Sequence, residues 1–148
     1  MILRTFGAFI TALSFAILFN TKNKNIVISA IGGAIGFVIY EILIQYTSNV
    51  YFVAFVSSMA FSLYSEIMAR KFKSPVINYL VISLIILVPG KGMYDTMLAV
   101  VLGDTALAFK NGLNTITVAL ALAFGVIFAS TIVKTYYKLK QRRKIQKQ

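Results

Sequence analysis

The sequence predicts an all-α membrane protein, a polytopic bundle of about five spans in which the fourth helix is broken. Hydrophobic residues make up 59% of the 148 residues and charged residues only 13%, a composition unlike that of soluble globular domains. The apolar residues fall into runs of about the length that crosses a hydrocarbon core, separated by short polar breaks. A single membrane domain accounts for the length.

Three apolar runs predict the first three membrane helices. The run over residues 3–19 starts near a positive charge, as a signal peptide does, but no small-residue cleavage site follows it. We therefore interpret it as a retained helix. The second run covers residues 26–46 after a polar, basic loop, and the third covers residues 50–68 after a short turn.

The fourth apolar run is interrupted. Pro75 precedes it, and residues 76–88 are too few to cross a core of about 30 Å. Pro89 then removes a backbone donor, and Gly90 and Gly92 allow backbone angles that other residues avoid. Two interpretations stay open: the helix is broken within the membrane, as in the binding sites of transporters, or it ends at Pro89 and turns at the membrane surface.

The segment after the break has helical spacing but mixed polarity. We expect residues 94–109 to form a re-entrant or interfacial helix, residues 110–112 to form a turn, and residues 113–133 to form the last span. Asn111 or Asn114 is the expected cap of that span. On one helix, Asp95 and Asp104 would point to opposite sides, so they are not expected to act as an acid–base couple.

The distribution of positive charge predicts the topology. The net charge is +11, but the basic residues lie in short breaks between apolar runs and in the tail, residues 134–148. This pattern orients membrane helices, and it argues against nucleic-acid binding. Five spans with the N-terminus outside and the C-terminus inside put 12 basic residues inside and three outside, namely Arg4, Lys91 and Lys110. We expect a membrane domain over residues 1–133 and a basic cytoplasmic tail in contact with the lipid surface.

Few residues are suited to catalysis. The chain has no histidine, no cysteine and four acids, so we expect no metal, no cofactor and no enzymatic activity. Intramembrane carboxylates are typical of proton pathways, and Glu41, Asp95 and Asp104 are the ion-coupling candidates. Glu66 precedes Arg70 by four residues, which favours a structural ion pair along one helix.

Small residues in the second helix predict close packing. Gly32 and Gly36 have the GxxxG spacing, and Gly33 lies between them. Glycines let another helix approach closely. We expect this face to be exposed and to receive a helix of a partner subunit.

Nearly the whole chain resembles the small membrane subunit of the threonine/serine exporter family, which matches the C-terminal half of the longer single-chain exporters. The resemblance rests on the glycine-rich second helix around Gly33 and Gly36, on residues 65–70 followed by Pro75, and on the break from Pro89-Gly90 to Tyr94 with the amphipathic stretch and the Asn-led last helix that follow it. The resemblance implies export of small polar metabolites and a second, separately encoded membrane subunit. Some relatives are associated with dicarboxylate export, so succinate-type substrates stay open.

Three kinds of function are compatible with a small membrane protein of this composition. A secondary-transporter half predicts broken helices and intramembrane polar groups without a nucleotide motif, and the sequence fits all three expectations. A membrane enzyme needs convergent acids, bases or ligands that four scattered acids do not supply. A scaffold subunit needs no intramembrane carboxylate. For the transporter, the substrate-path candidates are Pro89, Gly90, Lys91, Gly92, Tyr94, Asp104, Asn111 and Asn114.

Overall fold

The computed structural model describes residues 2–21 and 24–145. These residues form six helices and no strand: α1 (Ile2–Leu18), α2 (Asn25–Tyr46), α3 (Val50–Lys71), α4 (Ile77–Ile85), α5 (Gly90–Val101) and α6 (Thr105–Ile145). The prediction of an all-α bundle is confirmed. Two of the basic residues used for the topology, Lys22 and Lys147, lie outside the described residues.

Helix lengths agree with a polytopic membrane protein. In the described part of the chain, α2, α3 and α6 are each long and apolar enough to cross a bilayer, and α4 with α5 makes a fourth candidate span bent by 54°. The 17 residues of α1 reach about 25 Å at about 1.5 Å per residue, the lower limit for a span. Counting α1, the total is about five, as predicted.

Local chemistry explains where the helices stop. The Asn49 side chain accepts the Phe52 N–H at 3.2 Å and caps the start of α3. Asn20 and Lys73 follow the ends of α1 and α3 with φ of 54° and 50°, the left-handed conformation that closes many helix ends. These closures keep the loops between the first four helices short.

The α2 and α3 helices are the centre of the packing. The α2 helix contacts α1, α3 and α4, and α3 also contacts α4 and α6. Asn25 donates to Ser74 at 3.1 Å, and the Arg70 guanidinium lies 4.1 Å from the centre of the Tyr137 ring. The start of α2, the α3–α4 loop and the C-terminal part of α6 therefore share one end, called here the basic end. The opposite end, which carries the α2–α3 turn at residues 47–49, is called the turn end.

The predicted boundaries after the break are wrong. Residues 94–109 are not one helix, because the turn falls at residues 102–104 and residues 110–112 lie inside α6. Gly103 has φ +77°, which glycine adopts readily. The Asp104 carboxylate then accepts the Leu107 N–H at 2.9 Å, so Asp104, and not Asn111 or Asn114, caps the last helix. Asp95 and Asp104 consequently lie on different elements.

The ends of α4 and α6 also differ from the expectation. The fourth helix begins at Ile77, two residues after Pro75, and ends at Ile85, three residues before Val88. It ends four residues before Pro89 because proline has no N–H to donate to the Ile85 carbonyl and its ring clashes with that carbonyl. At the other end of the chain, residues 134–145 continue α6 without a break, so the described part of the tail is helical.

Candidate functional site

Pro89 turns the chain between α4 and α5. Its φ of −74° and ψ of 59° are those of an inverse γ-turn, and the Gly90 N–H donates to the Val88 carbonyl at 2.7 Å. The Met93 N–H then donates to the Pro89 carbonyl at 3.1 Å and begins α5. One proline therefore ends one helix and opens the next.

The break lies inside the bundle. A β-carbon added at Gly36 would lie 3.1 Å from the Leu87 side chain and 3.0 Å from that of Phe61. Leu87 also packs against the cluster formed by Ala54, Val118 and Leu122. Leu87 precedes Pro89 by two residues, so the chain enters the break between α2, α3 and α6.

A groove of about 580 Å³ runs between the break and α6. Val88, Pro89 and Met93 line one side, and Thr115 on α6 is the single polar side chain among the lining residues. The Thr115 hydroxyl donates to the Asn111 carbonyl at 2.8 Å, which keeps it within its own helix. Polar contacts for a ligand in this groove must therefore come mainly from the backbone.

The break leaves backbone groups of both kinds without helical partners. The Ile85 carbonyl has no donor four residues on, because Pro89 has no N–H. The Ile86 carbonyl loses its donor because the Gly90 N–H is committed to Val88. Beyond the turn, the N–H groups of the first residues of α5 have no acceptor within that helix. Acceptors and donors thus lie on the two sides of one turn.

The predicted residues at the break have different surroundings. Gly90 faces open space, since an added β-carbon would meet no described atom within 4 Å. At Gly92, the added atom would overlap the Thr115 hydroxyl, so this glycine lets α5 approach α6. Lys91 and Tyr94 are both exposed. Only Pro89 among the predicted path residues lines the groove beside the break.

The other path candidates do not line the groove. Asp104 is exposed and caps α6, 11 residues before Thr115 and hence about 16 Å along the helix. Asn114 accepts a hydrogen bond from the Tyr51 hydroxyl at 2.6 Å, which links α6 to the start of α3. Asn111 is half-buried and contributes its carbonyl to Thr115.

The ion-coupling candidates do not form a cluster. Glu41 is mostly buried and pairs with the exposed Arg4 at 3.3 Å, which joins α2 to α1. Asp95 is half-buried on α5, and Asp104 lies in the following turn. Among the described residues, no three potential metal ligands come together.

The expectation that Gly32 and Gly36 form an exposed surface for a partner is wrong. Both are buried with Gly33, and the chain's own helices cover them. An added β-carbon would meet Ser83 and Tyr64 at Gly32, Ala12 and Ile86 at Gly33, and Phe61 and Leu87 at Gly36. These glycines let α1, α3 and α4 pack closely around α2, and any partner must use another surface.

Two buried polar features had no clear signal in the sequence. At the basic end, Asn25 accepts from the Tyr79 hydroxyl at 2.9 Å, and the Ser29 hydroxyl reaches the Asn78 carbonyl at 3.0 Å. On α3, the serines at positions 57, 58, 62 and 65 are all fully buried. The sequence shows four small polar residues there, but that the Ser57 hydroxyl has no partner among the described residues depends on the tertiary fold.

The predicted pair of Glu66 with Arg70 is present, at 3.2 Å. Glu66 is 1% exposed, which makes it the most buried acid in the described chain. Arg70 also stacks on Tyr137, a favourable cation–π geometry. Arg70 thus links Glu66 on α3 to the C-terminal part of α6 at the basic end.

A comparison with known protein families identifies the family of this chain. The sequence model described as Threonine/Serine exporter, ThrE, matches residues 4–132, which include the break, the groove and all the candidate residues. The chain belongs to the threonine/serine exporter family. No curated protein and no solved structure matches it. The family that the sequence resemblance indicated is confirmed, and the exporter is a membrane-embedded transporter of a family that is not a class of enzymes.

Proposed function

We propose that this exporter chain moves small polar metabolites, and threonine- and serine-type amino acids in particular, along the groove beside the α4–α5 break. The observation that carries the proposal is the position of the break within the bundle, where Pro89 leaves carbonyls and N–H groups without helical partners. Irregular backbone at membrane depth is tolerated where it is covered by protein or lines a water-filled cavity.

The chemistry of the break suits a zwitterion. An amino acid needs acceptors for its ammonium group and donors for its carboxylate, and the carbonyls before Pro89 and the amides after it supply both. The side chain of Lys91 is exposed. It either adds a charge-assisted bond to a carboxylate or extends to the membrane surface. The Tyr94 hydroxyl either donates a hydrogen bond to the substrate or anchors the helix at the membrane interface.

Two alternatives remain. A dicarboxylate of the succinate type has no ammonium group, so it would use the amides and Lys91 but leave the carbonyls unused. A scaffold role would need none of these groups. Solute flux measured over a panel of amino acids and dicarboxylates separates these alternatives, because only an amino-acid exporter transports serine or threonine and is insensitive to succinate.

We propose that the chain works in a hetero-oligomer with a second membrane subunit of the same family. Among the described helices, α5 packs on α6 alone, and its apolar side chains Met93, Met97, Val100 and Val101 are more than half exposed. A partner helix on this face would also close the open side of the groove. The purified chain alone is therefore expected not to transport, and robust flux without a second protein would contradict this.

For the orientation, we propose a plasma-membrane protein with its N-terminus outside and its C-terminus inside. The basic end gathers Lys24, Arg70 and the described basic residues of α6 beyond residue 133, while the turn end holds Arg4, Lys91 and Lys110. An excess of positive charge favours the cytoplasmic side. The substrate would then enter from the basic end and leave at the turn end.

Substitution at the break tests the proposed path. Gly90→Ala is expected to impair flux although the added β-carbon meets no described atom, because the methyl group would crowd the open space beside the free N–H groups at the start of α5. Gly7→Ala on α1 is a matched control, since it also adds a methyl group in open space. Normal flux at normal expression in Gly90→Ala, Pro89→Ala and Tyr94→Phe would show that the break is only a turn.

A further inference from the structure

The described helices form two units that meet along α3 and α6. The α4 helix packs on α1, α2 and α3, whereas α5 packs on α6 alone. The break connects the two units, and Gly90 within it has open space around it. The α5–α6 unit is therefore held to the other four helices mainly by the interface between α3 and α6, to which side chains at the end of α4 add contacts.

The two units approach each other closely at Gly125 on α6. An added β-carbon there would overlap the Ser58 hydroxyl and lie 2.5 Å from the Phe55 carbonyl oxygen and 3.1 Å from the Met59 nitrogen. Of the nine glycines in the chain, Gly125 is the one whose added β-carbon would come within 3.0 Å of the backbone of another helix. Small residues allow such an approach, and no large side chain interlocks the two helices at this point. The contact can therefore serve as a pivot.

A polar contact lies on each side of Gly125. Toward the turn end, the Tyr51 hydroxyl donates to Asn114 at 2.6 Å, a contact called here the turn latch. Toward the basic end, the Arg70 guanidinium lies 4.1 Å from the centre of the Tyr137 ring, a contact called here the basic latch. On α6 the latches lie 11 residues before and 12 residues after Gly125, about 16 and 18 Å along the helix. They therefore close opposite ends of one helix pair at similar distances from the pivot.

The same part of α6 forms one wall of the groove beside the break. Leu122 packs against Ala54 on α3 and also lines the groove. Val126, whose carbonyl accepts a hydrogen bond from Ser62 at 3.4 Å, lines it as well. The opposite wall includes α4, which belongs to the other unit. A tilt of α6 relative to α3 therefore changes the width of the groove.

We propose that the α5–α6 unit rocks on α3 at Gly125 and that the two latches open one at a time. With both latches formed, as in this structure, the α3–α6 interface is closed at both ends. Release of one latch tilts α6 away from α3 at that end while the other latch holds, so the groove opens toward one side of the membrane at a time. Rocking of one helical unit against another is a general route to alternating access. The inference rests on the proposed function, since the moving unit forms a wall of the proposed path.

Distances between pairs of spin labels, measured by double electron–electron resonance on the full chain in lipid nanodiscs, test the motion without a transport assay. The chain has no native cysteine, so each pair needs only two introduced cysteines. Three pairs on exposed residues report the turn end, the basic end and the interior of the α5–α6 unit: in that order, Phe52 with Leu113, Ile67 with Leu139, and Met97 with Leu120.

Variants of the turn latch provide the first arm. Tyr51→Phe removes its donor and Asn114→Ala its acceptor, so the second variant serves if the first does not fold. Each is expected to raise the population with a lengthened turn-end distance by about threefold, the effect of one hydrogen bond between membrane helices, and not to lengthen the basic-end distance. Tyr46→Phe is the matched control, because that tyrosine is exposed and its hydroxyl has no hydrogen bond among the described residues.

A variant of the basic latch provides the opposite arm. Tyr137→Leu removes the ring but leaves Arg70 paired with Glu66. It is expected to raise the population with a lengthened basic-end distance by about threefold, the effect of one exposed cation–π contact, and not to lengthen the turn-end distance. The distance within the α5–α6 unit should stay constant in every variant.

The inference is overturned if both turn-latch variants keep the turn-end distance of the control, or if they lengthen the distances at both ends, which indicates general loosening. It is also overturned if the distance within the α5–α6 unit changes as much as the turn-end distance, since the two helices then do not move together. The proposed function fails by a different result, namely normal flux in the Gly90 and Pro89 variants. Impaired flux in those variants with unchanged latch distances refutes the rocking alone.

Discussion

Gly92 and Gly90 lie two residues apart at the start of α5, and the structure predicts opposite consequences for the same substitution. In Gly92→Ala, the new β-carbon overlaps the Thr115 hydroxyl and lies 3.4 Å from the Thr115 β-carbon. The bond to the Asn111 carbonyl holds that hydroxyl in its rotamer. In Gly90→Ala, the β-carbon meets no described atom within 4 Å.

The expected magnitudes follow from these contacts. Overpacking by one methyl group lowers the free energy of unfolding by about 1–3 kcal/mol. The higher helix propensity of alanine than of glycine raises it by about 1 kcal/mol. Gly92→Ala should therefore lower the free energy of unfolding by about 1 kcal/mol, with an upper bound of about 2 kcal/mol. Gly90→Ala should leave it unchanged or raise it by less than about 1 kcal/mol.

A double-mutant cycle with Thr115→Ala isolates the contact. Removing the Thr115 hydroxyl leaves its β-carbon at ordinary contact distance, so the double variant should recover most of the loss seen in Gly92→Ala. Unfolding of the four proteins in one detergent, followed by circular dichroism, provides the comparison. The packing of α5 on α6 described here is wrong if Gly92→Ala unfolds as the wild type does, or if Thr115→Ala gives no recovery.

Two further predictions concern topology and the ion pairs. Single cysteines at Lys24, Asn49 and Gln146, in a chain without native cysteine, should react with an impermeant reagent outside intact cells only at Asn49. Labelling of the cysteine at position 146 would show that the C-terminus is outside and would contradict the proposed orientation. Arg70→Ala should lower the free energy of unfolding by about 3 kcal/mol, because it leaves a buried carboxylate unpaired, whereas Arg4→Ala, which removes a largely exposed guanidinium, should cost less than about 1 kcal/mol. Equal losses in chemical denaturation would contradict the difference in burial.

The helical architecture was predictable because it depends on local sequence. Long apolar runs have no other stable form in a bilayer than the helix, so α2 and α3 were identified to within a few residues. Pro89 removes a donor in any context, which made the break visible as well. The boundary between α5 and α6 was not predicted correctly, because Asn111 and Gly112 resemble turn residues but lie inside α6, and the turn is at residues 102–104 instead.

The features that depend on tertiary contacts were less visible. A glycine pattern predicts that another helix packs closely, but it does not show whether that helix belongs to the same chain. In this structure, helices of the same chain cover Gly32 and Gly36. Likewise, four buried serines on α3 have the same local sequence signal. Only the packing around Ser57 distinguishes it from Ser65, whose hydroxyl returns to its own helix.

The claim that the α4–α5 break lines the translocation path is tested most directly by substrate protection. A single cysteine at Met93, which lines the groove, is alkylated by a small impermeant reagent with and without saturating serine or threonine, and a second variant carries its cysteine at Asn49 as control. We predict that the amino acid slows alkylation at position 93 and leaves the rate at position 49 unchanged. Alkylation at position 93 at the same rate with and without the amino acid, in protein that transports it, would contradict the claim.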